Sequence, residues 1–192
     1  MILKSSDKSP FCLFMDRDGV INELLPGDYV KNISEFHFRE NVLTGLAKLT
    51  QLTPYLFIIT NQQGIGKGIM SETDLFLVHQ YMSEQIIKYG GQLAGIYHCP
   101  HLESDDCPCR KPKTGMIEKI YFDFPEILDY PKLLIGDSAT DLELGIKIGA
   151  SCFGMRHGHN TLANWSGYES IEVHQFDEFV EHCIRLENGS TI

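Results

Sequence analysis

Phe11-Cys12-Leu13-Phe14-Met15 is an unbroken apolar run that ends directly on Asp16-Arg17-Asp18-Gly19. A strand with one solvated face alternates apolar and polar residues. A run without alternation suits a central strand buried on both faces of a parallel sheet. Tyr55-Leu56-Phe57-Ile58-Ile59 and Leu133-Leu134-Ile135 repeat the pattern and end in Thr60-Asn61 and Gly136-Asp137. Helical signals lie between these runs. Asn41 can cap a helix over 42–52, with Val42, Leu43, Leu46, Leu49 and Leu52 on one face. Ser71 and Asp74 form a capping-box pattern for a helix to about Tyr89, which Gly90-Gly91 ends. Thr114 or Gly115 opens a helix to about Asp123, and Ser138 with Asp141 opens one to Ile148. Leu93–Tyr97 and Ser151–Met155 read as further strands, Ile171–Val173 as a short one, and about 176–187 as a closing helix. Strands alternating with helices predict an α/β fold, a Rossmann-like, doubly wound parallel sheet with helices on both faces.

At 192 residues the chain reads as a single domain, 1–192. Its formal net charge of -10, from 16 basic and 26 acidic residues, argues against a nucleic-acid or membrane-surface binder. An anionic substrate would need a site that is locally positive or holds a metal. The first residues, Met-Ile-Leu-Lys-Ser-Ser-Asp-Lys, lack the long apolar segment of an export signal, and no run approaches membrane-span length. A soluble, cytoplasmic protein acting as a monomer is expected. No interval is large enough for a separate cap domain, so substrate selection falls to loops 20–38, 61–68 and 100–113.

In an open α/β sheet the ligand crevice lies beyond the carboxyl ends of the strands, where the polar residues here collect. Asp16 and Asp18 point the same way in an extended chain, and two anions in one pocket repel unless a cation joins them. Asp16, Asp18 and Asp137 offer hard oxygen ligands suited to Mg2+. Thr60 and Asn61 offer donors for phosphate oxygens at a glycine-rich turn, and Arg110-Lys111 adds positive charge. This set suits phosphoryl transfer, and a carboxylate can itself be the nucleophile. An ATP-type P-loop sequence is absent.

Cys12, Cys152 and Cys183 are scattered among apolar residues and read as core thiols. Cys99, His101, Cys107 and Cys109 instead crowd one loop, at about 98–113, with the ligand set of tetrahedral structural zinc. His98 fits that spacing less well; unligated thiols or a loop disulfide are the other readings. Asp141 reads as a helix cap before a metal ligand. His79 reads as a packed or surface residue, and His157 and His159, flanking Gly158 after the last strand, as a solvated loop before a pocket edge.

Asp16-Arg17-Asp18-Gly19-Val20-Ile21-Asn22, Thr60-Asn61, Lys111 and Gly136-Asp137 together resemble the motifs of haloacid-dehalogenase-like phosphatases over roughly residues 11–155. The resemblance implies that Asp16 attacks phosphorus and that Asp18 protonates the leaving oxygen and then activates water. It also implies Mg2+ held by the side chains of Asp16 and Asp137 and the backbone carbonyl of Asp18, with Thr60 and Lys111 on the phosphoryl group. The cysteine loop is similar to that of the zinc-containing branch of heptose bisphosphate 7-phosphatases and histidinol-phosphate phosphatases. Cys-Arg-Lys-Pro at 109–112 and Gly64-Ile65-Gly66-Lys67-Gly68 look like the heptose enzymes. The short His101–Cys107 interval and the 136–141 stretch look like the histidinol-phosphate enzymes. A small phosphorylated sugar is thus the expected substrate, with a phosphorylated amino alcohol as the alternative. Arg110 would meet a second phosphate. A nucleic-acid 3′-phosphatase and a zinc-stabilised, non-catalytic binding protein are the distant alternatives.

Overall fold

The computed structural model describes residues 11–160, 165 and 167–187. The N-terminal stretch read above for an export signal lies outside them, as does part of the loop before Ile171. Six strands form one sheet: β1 (Cys12–Met15), β2 (Leu56–Asn61), β3 (Gly95–Cys99), β4 (Lys132–Gly136), β5 (Ser151–Met155) and β6 (Ile171–Val173). Every pairing is parallel, in the order β3-β2-β1-β4-β5-β6. The helices are α1 (Val42–Thr50), α2 (Glu72–Lys88), α3 (Gly115–Asp123), α4 (Ala139–Lys147) and α5 (Phe176–Glu187).

The apolar runs lack alternation because both faces of the sheet are covered. Leu13, Met15, Leu56, Ile58 and Ile135 belong to the core shared with α1, α2 and α5. Their neighbours Cys12, Phe14, Phe57, Ile59 and Leu134 pack on the opposite face with residues of α3 and α4. β1 lies between β2 and β4, so the strand order turns outward in both directions from its carboxyl end. That is the topological switch point, and Asp16 follows it directly. The segment between β1 and α1 contributes a single 3-10 turn, Ile33–Glu35, and no layer of its own. Among the described residues, no helix is long and apolar enough to cross a membrane.

Two elements depart from the expected detail. Asn41 does not cap α1 through its side chain; it sits in the left-handed region at φ 61, and the helix closes at Thr50. Asparagine tolerates that backbone better than most residues, so its two local talents compete at one position. The third strand lies two residues further on than Leu93–Tyr97. It follows the β2 register from Phe57 opposite Gly95 to Asn61 opposite Cys99. As an edge strand it carries no continuous apolar run to mark its limits, and its extension places Cys99 at a strand end.

Candidate active site

Asp16, Asp18, Thr60, Asn61, Lys111 and Asp137 line one cleft of about 150 Å³ at the carboxyl edge of the sheet, with Leu24, Ser138 and Thr140. Parallel pairing explains the convergence. Met15 is paired with Ile58 and with Ile135, so residues that follow these strands emerge side by side. Gly19 allows the chain to turn back across this edge. Its φ is +85, and a side chain there would strike the Asp137 carboxylate.

Lys111 organises the anionic side of the cleft. It is 3% exposed, and its ammonium lies 2.7 Å from Asp16 Oδ1, 2.6 Å from Asp141 Oδ1 and 2.9 Å from the Ile59 carbonyl. Burial opposes its charge, but Asp141 and Asp16 outweigh that and push its pKa up. The Arg17 N–H donates to the same Asp16 oxygen at 2.8 Å, leaving Oδ2 without a partner among the described residues. Burial drives the Asp16 pKa well above the usual carboxylate range; Lys111 opposes this, while Asp141 and Asp137 add to it. Burial also raises Asp137, and the hydrogen bond from His157 Nε2 to its Oδ2, at 2.8 Å, only partly offsets this. Asp16, Asp137 and Asp141 bring one oxygen each within 4.8 Å of one another. Two buried carboxylates on one ammonium, with the half-buried Asp137 beside them, leave an excess of negative charge, and hard oxygen donors at this spacing fit a divalent cation.

Asp18 is held differently. Arg17 Nη2 donates to both of its oxygens, at 2.9 and 2.8 Å. Asn22 Nδ2 donates to Oδ1 at 3.0 Å and Gln62 Nε2 to Oδ2 at 2.8 Å. Burial would raise its pKa, but the Arg17 charge and these hydrogen bonds outweigh burial and hold it below the usual range. Two carboxylates two residues apart are thus driven in opposite directions by their surroundings.

The remaining expected residues divide. Thr60 Oγ1 accepts from Gln62 and keeps its own proton to donate. The Asn61 side chain faces the main chain of Lys111 instead of a ligand, donating to its carbonyl at 3.2 Å and accepting from its N–H at 3.0 Å. Its amide therefore ties the cysteine loop to the phosphate-type turn. Arg110 is not among the residues lining the cleft, yet its Nη1 is buried without a partner among the described residues. Asp141 caps α4 and also turns toward the cleft. One oxygen takes the Ser138 N–H and hydroxyl, as in a capping box, and the other takes Lys111.

Sequence reasoning missed Gln62 and Asn160 and ranked a solvated loop above the pocket edge for His157. The Asn160 amide donates to the Asp137 carbonyl at 2.7 Å and the Met155 carbonyl at 2.8 Å, so it pins the Asp137 loop to the end of β5. His157 is therefore part of the site, where a solvated loop was expected. Only tertiary folding brings these residues beside Asp137; no local pattern announces them.

Cys99, His101, Cys107 and Cys109 also converge, each offering a ligand atom within 4.8 Å of the others. Cys107 Sγ is 3.4 Å from both Cys99 and Cys109, and His101 Nδ1 is 3.2 Å from Cys109. No disulfide joins the cysteines here, and Cys109 Sγ lies 2.8 Å from Cys99 Sγ within the same cluster. His98 turns away from this group to pair with Glu72 at 3.0 Å. The cysteine loop also backs the glycine-rich turn: the Gln62 N–H bonds the Cys99 carbonyl at 2.7 Å and the Gly66 N–H the Pro100 carbonyl at 3.0 Å.

No family model matches the chain. D-glycero-alpha-D-manno-heptose-1,7-bisphosphate 7-phosphatase from Mycobacterium tuberculosis is 38% identical over 141 residues, covering 73% of this chain and 74% of that one. The corresponding beta enzyme from Neisseria meningitidis is 39% identical over 131 residues, covering 68% and 69%. Among solved structures, D,D-heptose 1,7-bisphosphate phosphatase from B. bronchiseptica, complexed with magnesium and phosphate, superposes with a TM-score of 0.83. It is 27% identical, over 92% of this chain and 99% of that one. The fold and these relationships define a phosphatase, a phosphoric monoester hydrolase. The chain belongs to the haloacid-dehalogenase-like phosphatases, in the branch of the heptose-1,7-bisphosphate 7-phosphatases.

Proposed function

We propose that this chain removes the 7-phosphate of D-glycero-D-manno-heptose 1,7-bisphosphate by way of a phospho-aspartate on Asp16. The observation that carries this reading is the convergence of Asp16, Asp18, Thr60, Lys111 and Asp137 in one cleft at the switch point, in a chain whose curated relatives are named for that reaction. Asp16 Oδ2 forms the bond to phosphorus as the sugar oxygen leaves, and that oxygen takes a proton from Asp18, which has to gain that proton against the pull of the Arg17 charge. Water then attacks the phospho-aspartate, Asp18 takes its proton, and phosphate departs with Asp16 restored. Thr60 donates its hydroxyl to a phosphoryl oxygen, while Lys111 fixes the other oxygen of Asp16. The unpaired Arg110 nitrogen is the candidate contact for the second phosphate.

Mg2+ fits the Asp16 and Asp137 side chains and the Asp18 carbonyl, with Asp141 behind them through Lys111. When bound it would supply the charge that neutralises the phosphoryl oxygens and the surplus of buried carboxylates. Zinc fits the three thiols and His101, a closed structural set that would hold the loop carrying Arg110 and Lys111. Protein purified without chelator should carry about one zinc per chain; less than about half an equivalent would count against the assignment. Cys107→Ser should lower thermal stability at full Mg2+ while leaving kcat of the folded fraction within about threefold, because the zinc site makes no contact with the reacting groups.

The substrate reading is tested by comparing kcat/KM for the alpha and beta anomers of heptose 1,7-bisphosphate with that for histidinol phosphate, on one preparation. One heptose anomer should exceed histidinol phosphate by at least about tenfold, because a built second-phosphate contact discriminates against a ligand lacking it. A preference for histidinol phosphate would overturn the reading.

A further inference from the structure

We propose that Arg17 and His79 are a buried positioning pair that fixes the Asp18 carboxylate for proton transfer. Arg17 stands between the two acids of the opening motif, where it looks like a spacer. Its side chain is 0% exposed, among the largest fully buried groups in the protein. It reaches neither substrate nor cleft, since the cleft-lining set includes Asp16 and Asp18 on either side of it but not Arg17.

The pairing with Asp18 runs through one nitrogen. Nη2 donates to both carboxylate oxygens, whereas a fork-on-fork pair would use two nitrogens and fix the plane by itself. A guanidinium held at one nitrogen can still swing about that contact. The second anchor is His79, on α2, whose Nε2 lies 3.1 Å from Nη1. Nε has no partner among the described residues, so Asp18 and His79 are the two points from which the buried cation hangs. The histidine must be neutral to accept a hydrogen bond from a guanidinium. Burial and the Arg17 charge hold its pKa down to about 3, which secures that state. His79 opens on the opposite side, onto a separate groove formed with Glu72, Phe76 and His98. It therefore acts on the reaction only through Arg17 and Asp18.

Burying a guanidinium carries a desolvation cost even when it is paired, and an apolar side chain would fill the volume more cheaply. What the charge provides here is orientation. Asn22 and Gln62 each hold one Asp18 oxygen, and Arg17 spans both, so the carboxylate plane is set by three groups from two parts of the chain. Asp18 must present one oxygen first to the leaving group and then to water. A displacement of about 1 Å at such a group costs on the order of a hundredfold in rate.

This inference rests on the phosphatase reading, and its test separates the two. kcat/KM counts only steps through formation of the phospho-aspartate. A sugar alkoxide needs a proton from Asp18 in that step, whereas p-nitrophenolate leaves without one. His79→Leu should lower kcat/KM for heptose 1,7-bisphosphate at least about tenfold, with KM changed less than about twofold. The same variant should keep kcat/KM for p-nitrophenyl phosphate within about threefold of wild type. His79→Gln retains a neutral acceptor and should recover to within about threefold on both substrates. Should the leucine variant fold poorly, Arg17→Lys keeps the buried charge but cannot bridge Asp18 and His79, and should show the same selective loss. Equal losses on the two substrates, or failure of glutamine to rescue, would assign His79 a merely structural part and overturn the inference. A wild-type protein inactive on both substrates would instead sink the phosphatase reading, and the positioning role with it.

Discussion

Asp16→Asn should abolish turnover and, in magnesium-free buffer at pH 7.5, make the folded protein more stable. Loss of a nucleophilic carboxylate costs at least about a thousandfold in kcat, because the groups arranged around it have nothing to activate. The stability half follows from the surroundings of Asp16. Its folded pKa is raised, chiefly by burial, above the value of about 3.9 expected for an unfolded aspartate. The fold thus favours the protonated form. That contribution is fully present below the unfolded pKa and is lost as pH rises through the folded one. At neutral pH the ionised Asp16 is consequently a net cost, which Lys111 only partly offsets because Asp137 and Asp141 crowd the same space. Asparagine keeps an oxygen for Lys111 and the Arg17 N–H while removing the charge. Urea midpoints for the two proteins without Mg2+ should therefore favour the variant, and added Mg2+ should reverse or narrow the difference by binding the wild type more tightly. An asparagine variant that turns over at the wild-type rate would exclude the phospho-aspartate. One that is less stable without Mg2+ would mean that the carboxylate cluster is not strained.

The contrast between Asp16 and its surroundings also marks how far the sequence could be read. Asp16, Thr60 and Asp137 were visible because each terminates or follows an apolar run, and parallel pairing carries the ends of such runs to one edge. The cysteine loop was visible because its ligands are close in sequence. Residues that bear on the site through packing left no such trace. Gln62 looked like one more polar residue of a turn, and its bond to Asp18 depends on how that turn folds over β1. His157 and Asn160 reach Asp137 only because β5 lies next to β4. Asn61 lines the cleft as expected but has a second use that the sequence did not show. Its amide is complementary to a backbone segment fifty residues away, a pairing that only the folded chain reveals. Asp141 could not be resolved by choosing between cap and site, because a carboxylate has two oxygens and here each serves one purpose.

Lys111→Met should produce the largest loss of stability of any substitution at the cleft, about 3–5 kcal/mol in magnesium-free buffer. The ammonium is the only cation in contact with both Asp16 and Asp141 among the described residues. Methionine matches the length of the stem but leaves both carboxylates buried and unpaired. At this chain length a loss of that size corresponds to a fall in Tm of roughly 10 °C. Activity should fall as well, since the tether that directs Asp16 Oδ2 outward disappears with the charge. A folding defect alone could mimic that result, so the double variant Lys111→Met/Asp141→Asn is the informative comparison. Asparagine still offers Ser138 an oxygen at the start of α4, while removing one of the two stranded charges. The double variant should be more stable than Lys111→Met alone, with a coupling energy of about 1–3 kcal/mol between the two positions. It should nevertheless stay inactive, because Asp16 still lacks its lysine. Additive losses would show that Lys111 stabilises the fold through its stem and its bond to the Ile59 carbonyl, with the Asp141 contact contributing nothing.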